Sequence, residues 1–177
     1  MPVIGLAAGF ALAIGCGPRE PALTNPGVST AQAPFASPIA PQRNVRTKWE
    51  GLAEIGTYRA LGKPFLSRGH FAGRWKAEVW ANAPGATEYA ILSRSSRFTA
   101  GAVLVKKHRE KGSGAPGPLF VMVKREVGFF PQGGDWEYLV ADAEGWLEDR
   151  GPLVTCARCH AEATADWVFG LPVDARP

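Results

Sequence analysis

The chain has 177 residues, which is enough for one domain with a hydrophobic core and an additional tail. Hydrophobic residues make up 46% of the sequence and charged residues 20%, as is ordinary for a globular protein. The formal net charge of +4 is small and is not gathered into a long basic stripe, so the composition argues against nucleic-acid binding.

The N-terminal segment predicts export. An apolar run over residues 3–15 ends at Cys16; it is short for a bilayer span but fits the apolar region of a signal peptide. The sequence ALAIGC resembles a bacterial lipobox, in which the cysteine becomes the lipidated N-terminus. We therefore expect residues 1–15 to be a signal peptide and Cys16 to anchor an exported, periplasmic or outer-surface lipoprotein. An ordinary signal peptide or a buried N-terminal helix are the alternatives.

Residues 16–44 differ in composition from the rest of the chain. Within them, residues 17–43 hold six of the fifteen prolines and show almost no apolar periodicity. Because proline lacks a backbone N–H and favours extended backbone, this stretch is not expected to build a core. It predicts a flexible linker between the anchor and a folded domain over residues 45–177.

Alternating apolar and polar residues predict four β-strands in that domain, over residues 74–82, 100–108, 119–130 and 136–142. Short loops join successive strands, so neighbours should pair antiparallel. The sequence therefore predicts an α+β, β-rich fold with an antiparallel sheet of about four to five strands and a few short helices.

Three helical segments are predicted beside these strands. A short one lies near Trp49, and a second covers residues 82–94, where Asn82 can cap the N-terminus and Pro84 suits the first turn. The last covers residues 156–169, which are rich in alanine, and Thr155 could cap its start. The C-terminal helix therefore carries the most informative motif of the chain.

That motif is C-A-R-C-H over residues 156–160, and it predicts covalent attachment of haem c. Cys156 and Cys159 have the spacing that brings two sulfurs to one edge of a porphyrin, where they form thioethers with its vinyl groups. His160 follows at once and can ligate the iron. The cysteine count agrees with this interpretation, because the third cysteine is the one at the predicted lipidation site.

Other uses of these cysteines are less consistent with the sequence. A thioredoxin-like redox motif would need a βαβ setting, whereas here the strands come first and the helix last. A structural zinc site needs four ligands, and although His70 and His108 are available there is no second cysteine pair. A plain disulfide remains open for an exported protein.

The order of motifs resembles the cytochrome P-460 family, which includes the cytochromes c′-beta. The resemblance covers roughly residues 49–172, and it rests on a C-terminal haem motif together with the segments SRGHFAGRWKAEVWAN, RFTAGAVLVKK, LFVMVKR, GGDWEYLV and ADWVF. It implies a largely antiparallel sheet with a few helices, often in a homodimer, and a haem iron whose only protein ligand is His160. Most small c-type cytochromes instead carry the motif near the N-terminus and are helical.

The resemblance implies one of two activities, and Lys106 bears on the choice between them; simple electron transfer, which needs only a redox-active iron, is a third alternative. In the P-460 type, a lysine bonded to the porphyrin edge accompanies hydroxylamine oxidation, and Lys106 occupies the matching position. In the c′-beta type the cross-link is absent and an apolar pocket binds nitric oxide. Strand alternation puts Lys106 on the face of Leu104, although a lysine at a strand end is commonly a solvated charge.

A distal group is the second test of activity. The family's hydroxylamine oxidation uses a carboxylate above the iron as proton acceptor, and the matching stretch here reads KREVGFF. We expect Glu126 to be the nearest candidate for that carboxylate, and Phe129 and Phe130 to form a dry distal pocket or, alternatively, ordinary core.

Two other histidines and two acidic residues are expected to have structural rather than catalytic roles. His108 is expected to be exposed and His70 to form hydrogen bonds at a turn; service of either as a sixth ligand to the iron is the alternative. Glu162 and Asp166 follow the haem motif and are expected on a solvated helix face, although one of them could accept a bond from His160. Beyond a small nitrogenous ligand or substrate, the expected partners are a redox protein, a second copy of the chain, and the membrane through the lipid anchor alone.

Overall fold

The structure is a computed structural model that describes residues 46–177. The predicted signal peptide, Cys16 and the proline-rich segment up to residue 44 lie outside the described residues. The described part begins at the N-terminal edge of the predicted folded domain.

A seven-stranded antiparallel sheet forms the centre of residues 46–177. Its main path runs in the order β1-β3-β4-β5-β6-β7, and β2 also pairs with β3. The strands are β1 (Arg59–Ala60), β2 (Phe65–Leu66), β3 (Trp75–Ala81), β4 (Val103–Glu110), β5 (Pro116–Lys124), β6 (Trp136–Ala141) and β7 (Leu147–Gly151).

Within residues 46–177, two α-helices accompany the sheet: α1 (Ala83–Ala90) and α2 (Val154–His160). Four 3₁₀ segments add short turns, at Glu50–Thr57, Phe71–Gly73, Pro131–Gly133 and Val173–Ala175. None of the helices within residues 46–177 is long and apolar enough to cross a membrane. The prediction of an α+β, β-rich fold with an antiparallel sheet is confirmed.

Strand alternation divides the apolar side chains between two faces of the sheet. On the first face, register places Leu104 of β4 opposite Met122 of β5 and Met122 opposite Tyr138 of β6. On the second face, Val105 lies opposite Val121, which lies opposite Leu139. All six side chains are buried, so both faces of the central strands are covered.

Different parts of the chain cover these faces. The first face packs against α2 and the C-terminal segment through Ala157, Val168 and Leu171. The second face packs against the N-terminal 3₁₀ segment and its flanks, which supply Trp49 and Tyr58. The C-terminal motif is therefore held on the first face.

Three predicted elements are clearly shorter in the structure than in the sequence analysis, and one of them is the helix predicted over residues 82–94, which is α1 and ends at Ala90. The strand predicted to reach residue 130 ends at Lys124 of β5, and the chain then turns around the Asp135 carboxylate, which accepts from the Phe130 N–H at 2.9 Å. The predicted helix 156–169 is α2, which ends at His160; Asp166 and Trp167 lie beyond this end and adopt positive φ angles that no α-helix accommodates. Thr155 lies inside α2 and does not cap it.

The sequence analysis also missed three strands. The strands β1 and β2 are only two residues long, which is too short for alternation to appear. The third, β7, has the sequence LEDRG and is mostly polar, since it lies at the edge of the sheet. Asn82 was predicted correctly as the cap of α1, and its side chain accepts from the Gly85 N–H at 3.0 Å.

An ionic network crosses the second face at the β7 edge. Glu137 of β6 accepts hydrogen bonds from Arg125 and Arg150, and Arg150 also donates to both carboxylate oxygens of Glu50 at 2.7 Å. Burial alone would raise the pKa of Glu137, but the hydrogen bonds from the two arginines outweigh it and hold this pKa below its usual range. The network therefore joins the residue that follows β5 to β6, β7 and the N-terminal segment.

Glu137→Gln is expected to lower the free energy of unfolding by about 1–3 kcal/mol at neutral pH, because it weakens charge-assisted hydrogen bonds that are nearly buried. The pKa of Glu137 is depressed in the folded state, so its contribution is complete above the unfolded value of about 4.3 and is lost as pH falls through the folded value. Urea unfolding at several pH values checks this: the difference between wild type and variant should shrink in acid, and a constant difference would contradict the network.

Candidate functional site

A cavity of about 910 Å³ lies on the first face of the sheet, beneath α2 and the C-terminal segment. The strands contribute side chains that are mostly apolar, and the facing wall comes from α2 and residues 168–172. Strand residues that line the cavity include Val79, Leu104, Lys106, Phe120, Met122 and Tyr138. The volume lies in the range typical of ligand pockets.

The helix α2 brings the three residues of the C-terminal motif to this cavity. Cys156, Cys159 and His160 all line it, because residues three and four apart share one face of a helix. Both cysteines are free thiols, Cys156 half-buried and Cys159 exposed. Burial raises the pKa of the Cys156 thiol. The structure therefore brings together the residues that the sequence predicts to attach and ligate haem.

The His160 ring has a defined orientation and tautomer. Its Nδ1 lies 2.8 Å from the Trp167 carbonyl oxygen, and since a carbonyl only accepts, Nδ1 carries the proton and donates it. Burial lowers the pKa of His160, so the ring is neutral and Nε2 keeps its lone pair. The ring packs between Tyr138 and Phe169, with centroids 5.4 and 5.5 Å away.

Lys106 lines the same cavity from the opposite wall. It lies on β4 between Val79 of β3 and Phe120 of β5, and its Nζ is 5.6 Å from the centroid of the Phe65 ring. Burial lowers the pKa of Lys106 to about 8, so the amine remains mostly protonated at pH 7 and roughly a tenth of it is deprotonated. The side chain points inward, and the alternative of a solvated charge does not hold.

The two other histidines pack near this end of the cavity. His70 lines it and stacks on Phe120 with 4.0 Å between centroids, and burial lowers the pKa of His70 to about 3. The expectation that His108 is exposed is wrong: alternation along β4 turns it inward with Lys106, and it is 2% exposed. Its Nδ1 lies 2.9 Å from the Pro118 carbonyl oxygen, and its Nε2 lies 3.4 Å from Ser67 Oγ.

The structure corrects the predicted distal pocket. Glu126, Phe129 and Phe130 do not line the cavity, because β5 ends at Lys124 and the chain then turns away. Glu126 is exposed, Phe129 is 41% exposed, and Phe130 is buried in the core against Gly133. The carboxylates that line the cavity are instead Glu162 and Asp174, both of which are exposed.

Asp166 also departs from expectation, because it is 6% exposed and lies off any helix. The group that accepts the hydrogen bond from His160 is the backbone carbonyl of the next residue, Trp167. No sequence pattern indicates such a contact, since every residue has a carbonyl. A tight turn after the motif, with two non-glycine residues at positive φ, decides it.

The residues around the cavity fit a covalently bound haem. Two thiols, a neutral imidazole with a free Nε2 and a mostly apolar lining meet at one cavity, and these are groups that can attach a haem covalently and supply an axial ligand to its iron. Tyr138 Oη and His70 Nδ1, which belong to lining residues, are buried without a hydrogen-bond partner among residues 46–177. Within the same residues, no group of three or more His, Cys, Asp or Glu side chains could hold a metal ion.

Comparisons with known proteins give no direct support to any assignment: no family model matches the chain, and no curated protein matches it.

Gly134→Ala is expected to lower the free energy of unfolding by about 1–3 kcal/mol. Gly134 has a φ of +65°, and a Cβ at this position would collide with the indole of Trp167. The backbone carbonyl of Trp167 is the group that holds His160. Gly112→Ala is the matched control, because its Cβ would meet nothing within 4 Å and should leave stability within about 1 kcal/mol of wild type. Equal unfolding free energies for the two variants would contradict the packing described for Gly134.

Proposed function

We propose that the chain is an exported monohaem c-type cytochrome of the P-460 type, whose haem iron has an open distal position and acts on hydroxylamine or related nitrogen oxides. The observation that supports it is the convergence of four predicted residues on one cavity: Cys156, Cys159 and His160 on α2, and Lys106 on β4. The cysteines and the histidine are adjacent in sequence, but Lys106 reaches the cavity through the register of the sheet.

Each of these side chains has a separate role. The thiols of Cys156 and Cys159 would hold the haem as thioethers, and His160 would ligate iron through Nε2, which its hydrogen bond to Trp167 leaves free. The bound haem would supply redox-active iron with one coordination position open to a small ligand. The apolar lining would exclude water from that ligand.

Proton handling inside the cavity would fall to Lys106, if its amine is not bonded to the haem. Lys106 has a pKa of about 8, so it can hold or release a proton near neutral pH. His70 is neutral over the same range, since burial lowers its pKa to about 3. With Glu126 outside the cavity lining, Lys106 would take the place that the sequence assigned to a distal carboxylate.

The second candidate function is binding of nitric oxide without turnover, as in the c′-beta type. The location of Glu126 favours it, because the residue proposed from sequence as proton acceptor is exposed and does not line the cavity. A mostly apolar lining suits a neutral diatomic ligand as well as it suits hydroxylamine. Simple electron transfer is the third form of the proposal; it needs only a redox-active iron and would favour a sixth ligand.

The remaining parts of the proposal rest on sequence. Export and lipidation of Cys16 follow from the N-terminal segment, and c-type maturation outside the cytoplasm agrees with them. The homodimer and the redox partner protein follow from the family resemblance. Together they give a haem domain held near a membrane surface by an anchor and a linker.

Haem attachment is tested by mass. The full chain, produced in a host that matures c-type cytochromes, is expected to be coloured and to exceed the bare polypeptide by one haem. Cys156→Ser and Cys159→Ser should each lose a thioether bond, which lowers the yield of covalent haem protein. Cys16→Ser is the matched control, because it should lose the lipid and keep the haem. A colourless wild-type chain at the mass of bare polypeptide would contradict the proposal.

Lys106→Arg separates the two activities. If Lys106 is bonded to the haem, the wild type has a broad, strongly red-shifted ferrous Soret band, and the variant loses both that band and hydroxylamine oxidation. If the chain is a gas binder, wild type and variant share an ordinary high-spin spectrum that shifts with nitric oxide.

The neighbouring residue supplies the control for this substitution. Lys107 lies on the second face of the sheet, with Nζ 3.6 Å from the centroid of the Trp80 ring, so Lys107→Arg should leave the spectrum unchanged. A six-coordinate low-spin spectrum in the wild type would contradict both activities and leave electron transfer.

A further inference from the structure

A tight turn over residues 165–168 follows the haem motif and has an unfavourable backbone conformation. Asp166 and Trp167, its two central residues, have φ angles of 50° and 61°, and the Val168 N–H donates to the Ala165 carbonyl at 2.8 Å. Such turns favour glycine or asparagine at these positions, and a tryptophan there is costly. The surrounding structure must therefore hold the turn in place.

The Asp166 side chain provides the first restraint. Its carboxylate is 2% exposed, and Oδ2 accepts from Lys124 Nζ at 2.7 Å and from the Phe98 N–H at 2.7 Å. Lys124 is 11% exposed, and its Nζ also donates to the Gly134 carbonyl at 2.8 Å. The pair is thus a buried ion pair whose charges are compensated by further hydrogen bonds.

The backbone and the indole of the turn provide the second restraint. Trp136 is completely buried on β6, and its Nε1–H donates to the Asp166 carbonyl at 2.8 Å. The Trp167 indole packs over Gly134, where a Cβ would collide with it. The orientations of both peptide groups in the turn are therefore fixed by contacts to β5, β6 and the turn that joins them.

This fixed turn aims the Trp167 carbonyl at His160 Nδ1, 2.8 Å away. The hydrogen bond selects the tautomer with a free Nε2 and sets the direction in which the ring faces the cavity. A hydrogen bond of this kind also increases the electron donation of a ligating imidazole. The geometry of His160, the proposed iron ligand, thus depends on an ion pair that lies outside the C-A-R-C-H motif and does not line the cavity.

We propose that Lys124 and Asp166 are positioning residues for His160: their ion pair holds the strained turn whose Trp167 carbonyl fixes the imidazole. The inference rests on the proposed haem ligation by His160. Loss of the pair would let the turn relax and would weaken or misdirect the hydrogen bond at Nδ1. The iron would then receive less electron density from the ligand.

Asp166→Ala in the haem-loaded full chain tests the inference. The iron–histidine stretching frequency of the ferrous protein, measured by resonance Raman spectroscopy, is expected to fall. The reduction potential is expected to rise, because weaker donation favours ferrous iron. Asp166→Asn should restore part of both values, since asparagine tolerates positive φ and keeps an oxygen that can accept from the Phe98 N–H.

Glu137→Ala is the matched control, because it also removes a nearly buried carboxylate that pairs with basic side chains, but on the second face of the sheet. It should destabilise the protein and leave both spectroscopic values at those of the wild type. If Asp166→Ala does not accumulate as haem protein, Lys124→Gln and Trp136→Phe carry the test, and each should shift both values in the same direction.

Three results would overturn the inference. If variants at Asp166, Lys124 and Trp136 keep the wild-type iron–histidine frequency and reduction potential, this inference is overturned but haem ligation by His160 is not. A shift in Glu137→Ala as large as that in Asp166→Ala would have the same consequence, since the effect would then be one of general destabilisation. A wild-type chain at the mass of bare polypeptide would overturn the proposed function and this inference together.

Discussion

The register between β3, β4 and β5 is the constraint on which the site depends. Because side chains alternate along a strand, pairing of Lys106 with Val79 and Phe120 places Leu104, Lys106 and His108 on one face and Val105 on the other. A slip by one residue would exchange the two faces: Val105 would turn to the cavity, and the Lys106 amine would enter the apolar cluster that contains Val121 and Leu139. Burial of a lysine amine in that cluster would be costly, which favours the native register. The same pairing that stabilises the sheet thus sets the wall of the cavity.

The facing wall is built differently, from one short helix and one tight turn. The helix α2 is only seven residues long, and its side chains reach the cavity because the C-terminal segment packs back over the first face. The turn at residues 165–168 closes this segment and returns a carbonyl to the helix that precedes it. An isolated helix of this length would be marginal in water, so its geometry depends on tertiary packing.

Burial sets the protonation states of the titratable side chains near the cavity. His70 and His108 are neutral because burial lowers their pKa values to about 3 and 4, and Lys106 titrates near pH 8 for the same reason. The fully compensated ion pair of Lys124 and Asp166 lies outside the cavity and maintains backbone geometry. Under the proposed function, a cavity with few charges would suit a small, weakly charged nitrogenous ligand.

The sequence by itself determined the β-rich fold class, the central strands, the cap at Asn82 and the placement of Cys156, Cys159 and His160 on a helix, because these depend on local periodicity and capping chemistry. Tertiary structure alone decided which residues face the cavity. His108 is buried and Glu126 is exposed because strand ends, turns and long-range pairing set their directions. The turn at Asp166 and Trp167 has no local sequence signal. Its positive φ angles are held by the contacts of Asp166 with Phe98, Lys124 and Trp136, which are at least 30 residues away in the sequence.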